Sequence, residues 1–221
     1  MSPNNIFITE DGSHSMLSKE HGVSYHSKHG AIQETQHVFI NAAFHHKLPA
    51  TSLSILDIGF GTGLNAYMTF LETKKMQIVV NYTAIEAYPI SLDAARALNY
   101  STLLKQNSPD DFLKLHELDW EKKHPISDFF IFTKNKKRLE SLDFNNQFDL
   151  IYFDAFAPNS QPELWQENIL RKMFEALKVG GVLTTYCAKG VVKRTFKKVG
   201  FAIEAIPGPP GKREMTRAIK I

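Results

Sequence analysis

Cysteine is almost absent from this chain. Cys187 stands alone among 221 residues, so no internal disulfide can form and no CxxC metal or redox pair exists. Long apolar runs are lacking as well: no uncharged stretch approaches the roughly 20 residues that cross a bilayer. The start, MSPNNIFITEDGS, has no basic segment leading into an apolar one. These absences predict a cytoplasmic protein with no membrane segment. Histidine is missing beyond His124, and the nine present never take HExxH spacing. No metal is expected, and solvated or hydrogen-bonded imidazoles are the reading. The sequence GK[ST] occurs nowhere, which excludes a P-loop.

What remains is an ordinary globular balance, 43% hydrophobic and 22% charged, in a length that suits a single domain over residues 1–221. The net charge of +3 conceals an asymmetry. From Lys189 onward nine Lys/Arg face only Glu204 and Glu214, an excess of +7 that leaves −4 for the rest. A basic C-terminal face can meet phosphates, although lysines kept for solubility are a common alternative.

Apolar segments alternate in type. Strands are expected at 54–58, 78–85, 129–132, 148–153, 182–186, 202–206 and 216–221, and helices at 64–71, 89–98, 162–177 and 191–199, with Gly180-Gly181 stopping the third helix. Strands alternating with helices imply a parallel sheet covered on both faces. The last two strands, joined only by PGPPGK, must be antiparallel neighbours. This α/β arrangement of seven strands with a closing hairpin is the layout of class I methyltransferases, a Rossmann-like fold. Residues 1–50 precede the sheet, with 31–44 expected as a helix over it, and 101–127 reads as a polar helical insertion.

Ligands of open α/β sheets bind beyond the carboxyl ends of the strands. There the chain reads LDIGFGTGLNA, with Gly59, Gly61 and Gly63. A dinucleotide fingerprint needs a glycine where Leu64 stands, and Asp57 would disfavour a nearby diphosphate. The pattern instead suits S-adenosylmethionine, which carries sulfonium and ammonium charge and no phosphate. Asp57 would balance that charge, and Glu86, at the end of the second strand, would accept from both ribose hydroxyls. In FDLIYFDAFAPNSQPELW, Asp154 closes a strand expected beside the first. A carboxylate next to a methyl donor serves an amine acceptor, because it can orient the amine and take its proton. Turn capping is the alternative use of such an Asp. Pro158 and Pro162 would stiffen the loop, and Trp165 would either wall a pocket or pack in the core.

Over nearly its whole length the chain resembles the methyltransferase domain of the MnmC family, which makes the methylaminomethyl group on the wobble uridine of certain tRNAs. The resemblance rests on YHSKHGAIQETQHVFI (25–40), GFGTGLN (59–65), Glu86 of IEAYP, FDAFAP with its trailing Trp165, and GKREM (211–215). It implies methyl transfer from S-adenosylmethionine to the primary amine of 5-aminomethyl(-2-thio)uridine, with Asp154 as the catalytic residue at that amine. Tyr25, Glu34, Asp57, Gly59, Phe60, Gly61, Gly63, Asn65, Glu86 and Asp154 would bind cofactor. Phe156, Pro158, Trp165, Lys189, Lys193, Arg194, Lys212 and Arg213 would bind substrate, with tRNA as partner. Many relatives carry a fused FAD oxidase domain; this chain ends at Ile221, which implies a separate enzyme to supply the aminomethyl precursor. Where relatives place an acid that contacts adenine, this chain has Thr133, Lys134 and Asn135, so that contact is unassigned. Two other readings stand beside this one: a polyamine aminopropyltransferase, which shares the sheet and the acids, and an RNA-binding module without catalysis.

Overall fold

The computed structural model describes residues 5–104 and 110–221. The chain opens on a small antiparallel hairpin, β1 (Ile6–Ile8) and β2 (His14–Met16). Helix α1 (Ala31–Thr35) continues into a π-helical stretch, Gln36–Phe44. The expected helix at 31–44 is therefore present, wound more loosely in its second part. It lies on the sheet because Val38, Phe39, Ile40, Ala43 and Phe44 are all fully buried, and Phe39 packs its ring 5.1 Å from that of Tyr152.

The βα units follow as β3 (Ser52–Ile58), α2 (Leu64–Met76), β4 (Val79–Glu86) and α3 (Leu92–Arg96). After α4 (Tyr100–Leu103) and α5 (Asp110–Glu117) come β5 (Lys123–Ser127) and β6 (Phe130–Lys136). Then run β7 (Phe148–Phe153), α6 (Glu167–Ala176), β8 (Leu177–Thr185), α7 (Gly190–Val199), β9 (Phe201–Pro207) and β10 (Glu214–Lys220). The main sheet has the order β5-β6-β4-β3-β7-β8-β10-β9. From β6 to β8 it is parallel; β10 is antiparallel to both β8 and β9, as a short Pro/Gly connection requires.

Alternation divides the core between the two faces. Ile55, Leu150 and Tyr152 join the cluster beneath α2 and the π-helical stretch, whereas Leu56, Ile58, Ile151 and Phe153 join the one beneath α6 and α7.

Three expectations are corrected. Among the described residues the sheet has eight strands rather than seven, because the insertion at 101–127 is helical only in part and ends in β5, an edge strand antiparallel to β6. Pro125 argues against a strand, yet an edge tolerates a residue without N–H. Residues 105–109 of that insertion, and residues 1–4, lie outside the described residues. Gly180-Gly181 does not stop a helix: α6 ends at Ala176 because Leu177 turns extended (φ −73°, ψ 145°), and the glycines lie inside β8. The expected helix at 162–177 is also broken at Gln166 (ψ 160°) into a 3-10 turn, Pro162–Trp165, and α6.

Candidate active site

Strand register assembles the site. Ile58 pairs with Ile85 on β4 and with Phe153 on β7. The residues that follow each of these, Gly59, Glu86 and Asp154, therefore leave the sheet side by side at its carboxyl edge. Gly59 and Gly63 both hold positive φ, +92° and +79°, a region closed to most side chains. A Cβ on Gly59 would meet the Asp154 carbonyl at 2.8 Å, and one on Gly63 would meet His116 Nε2 at 2.6 Å. The loop is pinned by Glu86, whose Oε2 accepts from the Gly61 N–H and whose Oε1 accepts from the Tyr88 N–H, both at 2.8 Å.

Above this loop opens a cleft of about 1040 Å³, counted to its mouth. Gly59, Phe60, Gly61, Asn65, Glu86 and Asp154 border it, and Tyr25 and Phe156 close one side with rings 5.2 Å apart. A floor of bare backbone with a carboxylate on either side suits a ligand that carries both a diol and positive charge. The cleft therefore fits S-adenosylmethionine.

Asp154 is held firmly. Its Oδ2 accepts from Asn65 Nδ2 at 2.9 Å, and Asn65 Oδ1 accepts from the Thr35 hydroxyl at 3.0 Å. That second bond orients the amide. Burial, seconded by the negative charge of Glu34, pushes the Asp154 carboxyl up to about 7; the Asn65 bond and the Lys212 charge act against it. A group poised there exchanges a proton readily near neutral pH.

Asp57 departs from its expected role. Alternation turns it away from Leu56 and Ile58 and into the core, where it is wholly buried and accepts from the Tyr82 hydroxyl at 2.7 Å. It does not border the cleft. Burial raises its pKa well above the ordinary carboxylate range, so the balancing charge foreseen for it is not presented to a ligand. Gly63 shapes the loop as the left-handed residue before α2 without lining the cleft. Glu34 is also outside the cleft: it is 8% exposed and accepts from the Ser27 N–H at 2.9 Å and from Lys212 Nζ at 2.9 Å.

The residues expected to bind substrate divide in the same way. Phe156 lines the cleft, whereas Pro158 does not. Trp165 belongs to the core, packed edge-on against Phe153 at 5.0 Å, and its Nε1 donates to the Phe156 carbonyl from behind the loop. Lys193 is spent on Glu214 (2.6 Å), and Lys189 donates to Asn159 Oδ1. Lys212 turns inward to Glu34 rather than outward. Arg194 and Arg213 form no ion pair among the described residues.

Other residues bordering the cleft were not foreseen: His21, Tyr88, Arg138 and Glu140. Arg138 donates to the Tyr88 hydroxyl at 2.9 Å, and the His21 ring lies 4.9 Å from Phe156. The signal for Arg138 and Glu140 was the true end of β6, which runs to Lys136 instead of stopping near Phe132. Lys134 is consequently a strand residue, fully buried, with its ammonium on the His116 carbonyl and over the Trp120 ring. Burial lowers its pKa to about 8. Nothing in the sequence marked His21. Among the described residues no group of three His, Cys, Asp or Glu side chains gathers to hold a metal, and no helix is long and apolar enough to cross a membrane.

Comparison with known proteins agrees with this geometry. The chain is 27% identical over 217 residues to the tRNA 5-methylaminomethyl-2-thiouridine biosynthesis bifunctional protein MnmC of Methylobacillus flagellatus, covering 90% of this chain and 32% of that protein. It is 29% identical to the protein of the same name from Chromohalobacter salexigens, covering 93% of this chain and 31% of that one. The chain thus spans about a third of the length of these relatives. In fold it is similar to MNMC2 from Aquifex aeolicus, with a TM-score of 0.76 at 22% identity, over 97% of this chain and 69% of that one. It is similar, more distantly, to spermidine synthase from Thermotoga maritima, with a TM-score of 0.55 at 15% identity over 98% and 72% of the two chains. Both structural likenesses are of fold alone, and the second does not favour aminopropyl transfer. A family model matches residues 99–221, from the start of α4 through Asp154 to the closing hairpin, and by that match the chain belongs to a family of S-adenosyl-L-methionine-dependent methyltransferases.

Proposed function

We propose that the protein transfers a methyl group from S-adenosylmethionine to the primary amine of 5-aminomethyl(-2-thio)uridine at the wobble position of tRNA. The observation that carries this reading is Asp154: a carboxyl held by Asn65 at the cleft floor and raised to about 7. The names of the relatives support the choice of nucleoside. We read residues 1–221 as one methyltransferase unit, with Tyr25, Phe60, Gly59, Gly61, Asn65 and Glu86 around the cofactor and Phe156 beside the nucleoside.

When bound, S-adenosylmethionine supplies a methyl carbon made electrophilic by its sulfonium. Glu86 fixes the loop under the ribose and keeps further oxygen lone pairs for its hydroxyls. Asp154 accepts a proton from the entering ammonium, which frees the lone pair that forms the new C–N bond. Tyr25 and Phe156 narrow the mouth and exclude water from that contact. Arg194 and Arg213 extend toward the tRNA backbone. Because this reaction consumes an aminomethyl nucleoside, an activity that produces the amine must precede it.

The test is incubation with labelled methyl donor and tRNA from cells that lack the modification, followed by nucleoside analysis. Labelled methylaminomethyluridine is expected. Label absent from tRNA but present on a small polyamine would overturn the proposal.

A further inference from the structure

Four consecutive carbonyls leave the strand end that carries Asp154, and the protein takes hold of each. The Asp154 carbonyl lies where Gly59 has no side chain; a Cβ there would come within 2.8 Å of it. The Ala155 carbonyl accepts from the Tyr186 hydroxyl at 2.9 Å, and the Phe156 carbonyl accepts from Trp165 Nε1 at 2.8 Å. Next in line, the Ala157 carbonyl accepts from the N–H groups of Ser160 (2.8 Å) and Gln161 (2.9 Å). The Asp154 N–H donates to the Ile58 carbonyl at 3.0 Å, so the loop starts from a fixed point on the sheet.

The two side-chain donors come from different elements. Trp165 ends the 3-10 turn before α6, and Tyr186 directly follows β8. Both remain donors at working pH: an indole N–H does not ionise, and burial raises the Tyr186 pKa well above the ordinary tyrosine value. Packing alone would not require two large aromatic residues to end on neighbouring peptide groups. With both carbonyls drawn into the protein, the Phe156 side chain is left on the cleft side. There its ring meets those of Tyr25 at 5.2 Å and His21 at 4.9 Å, at interplanar angles of 60° and 52°. Neither ring lies parallel to Phe156, so neither is stacked on it. A flat base can be, because every base has a π-face to lay on an aromatic side chain.

We propose that Trp165 and Tyr186 are positioning residues for the acceptor: by holding the Phe156 and Ala155 carbonyls, they set the Phe156 ring as the surface on which the base of the target nucleoside rests while its amine reaches Asp154. The inference rests on the nucleoside acceptor read above. Neither residue touches the base, and each acts through Phe156.

Trp165→Phe and Tyr186→Phe keep an aromatic ring in each place and delete the donor. Each should raise KM for tRNA about 10-fold, the low end of what one base–aromatic stack contributes. Uniform binding is what a platform supplies, so kcat should stay within about 2-fold and calorimetric affinity for S-adenosylmethionine should be unchanged. A double-mutant cycle separates positioning from general packing. In a Phe156→Leu background, where no platform remains to be set, Trp165→Phe should cost less than about 2-fold. An equal cost in both backgrounds would make the two residues structural props and overturn the inference. So would a wild-type KM in both single variants. Hydrogen exchange read by mass spectrometry needs no turnover: the 155–161 segment should exchange about 10-fold faster in both variants than in the wild type. Unchanged exchange would show that the two donors do not hold the loop, and would overturn the inference as well. A wild-type protein that methylates no aminomethyl tRNA, with exchange accelerated in the variants as expected, would instead overturn the acceptor reading, and the role of Phe156 toward a base with it.

Discussion

Replacing Asp154 by Asn tests the site on two independent scales. The amide keeps the shape, and its Oδ1 can still accept from Asn65 Nδ2, now at 2.9 Å from Asp154 Oδ2. What is lost is the proton acceptor, so methyl transfer should fall roughly 100-fold, the usual scale for one positioned acid–base group. Cofactor affinity by calorimetry should remain. Stability should move in the opposite direction. The Asp154 pKa rises from 3.8 to about 7 on folding, so the folded protein binds the proton more tightly than the unfolded chain. Stability therefore declines as pH rises between those two values, and the whole penalty is present above 7. At about 1.36 kcal/mol per pH unit the upper bound is about 4 kcal/mol. The carboxyl has some access to the cleft, and about 2 kcal/mol is the working figure. Denaturant unfolding of both proteins at pH 4.5 and pH 8 measures this: Asp154→Asn should gain on the wild type as pH rises. A gap between the two that does not change with pH, or wild-type turnover in the variant, would refute the reasoning.

Other substitutions probe the remaining parts. Glu86→Ala should weaken cofactor binding by about 1.5 to 3 kcal/mol, since it removes a charge-assisted acceptor and frees the Gly61 amide; unchanged calorimetric affinity would leave Glu86 a purely structural clamp. Gly63→Ala forces a side chain onto a backbone with φ +79° and against His116, and should cost about 1 to 3 kcal/mol in thermal unfolding. Arg194→Ala combined with Arg213→Ala should reduce the log–log salt slope of tRNA binding by up to ~2. An unaltered slope would move the polynucleotide path to another face.

The parallel sheet and the closing hairpin were legible in the sequence because each depends on local pattern: apolar runs, their periodicity, and a Pro/Gly turn too short to hold a crossover. Gly59, Gly61, Glu86 and Asp154 were legible for a related reason. A residue that directly follows a parallel strand must emerge at one edge of the sheet, and the register of Ile58 with Ile85 and Phe153 brings three such positions together. Strand ends were less well determined. β6 outruns its apolar core by several residues because Lys134 can be buried when a carbonyl and an indole receive its ammonium, and neither partner is visible from IFTKNKK. Only the tertiary structure decided which way the charged side chains face. Asp57 reads as a ligand-facing acid until the pleat directs it onto Tyr82, and Lys212 reads as a surface cation until Glu34, 178 residues away, draws it inward. Composition and spacing fix where a backbone goes, whereas the environment of a charge depends on groups that the chain brings together only after folding.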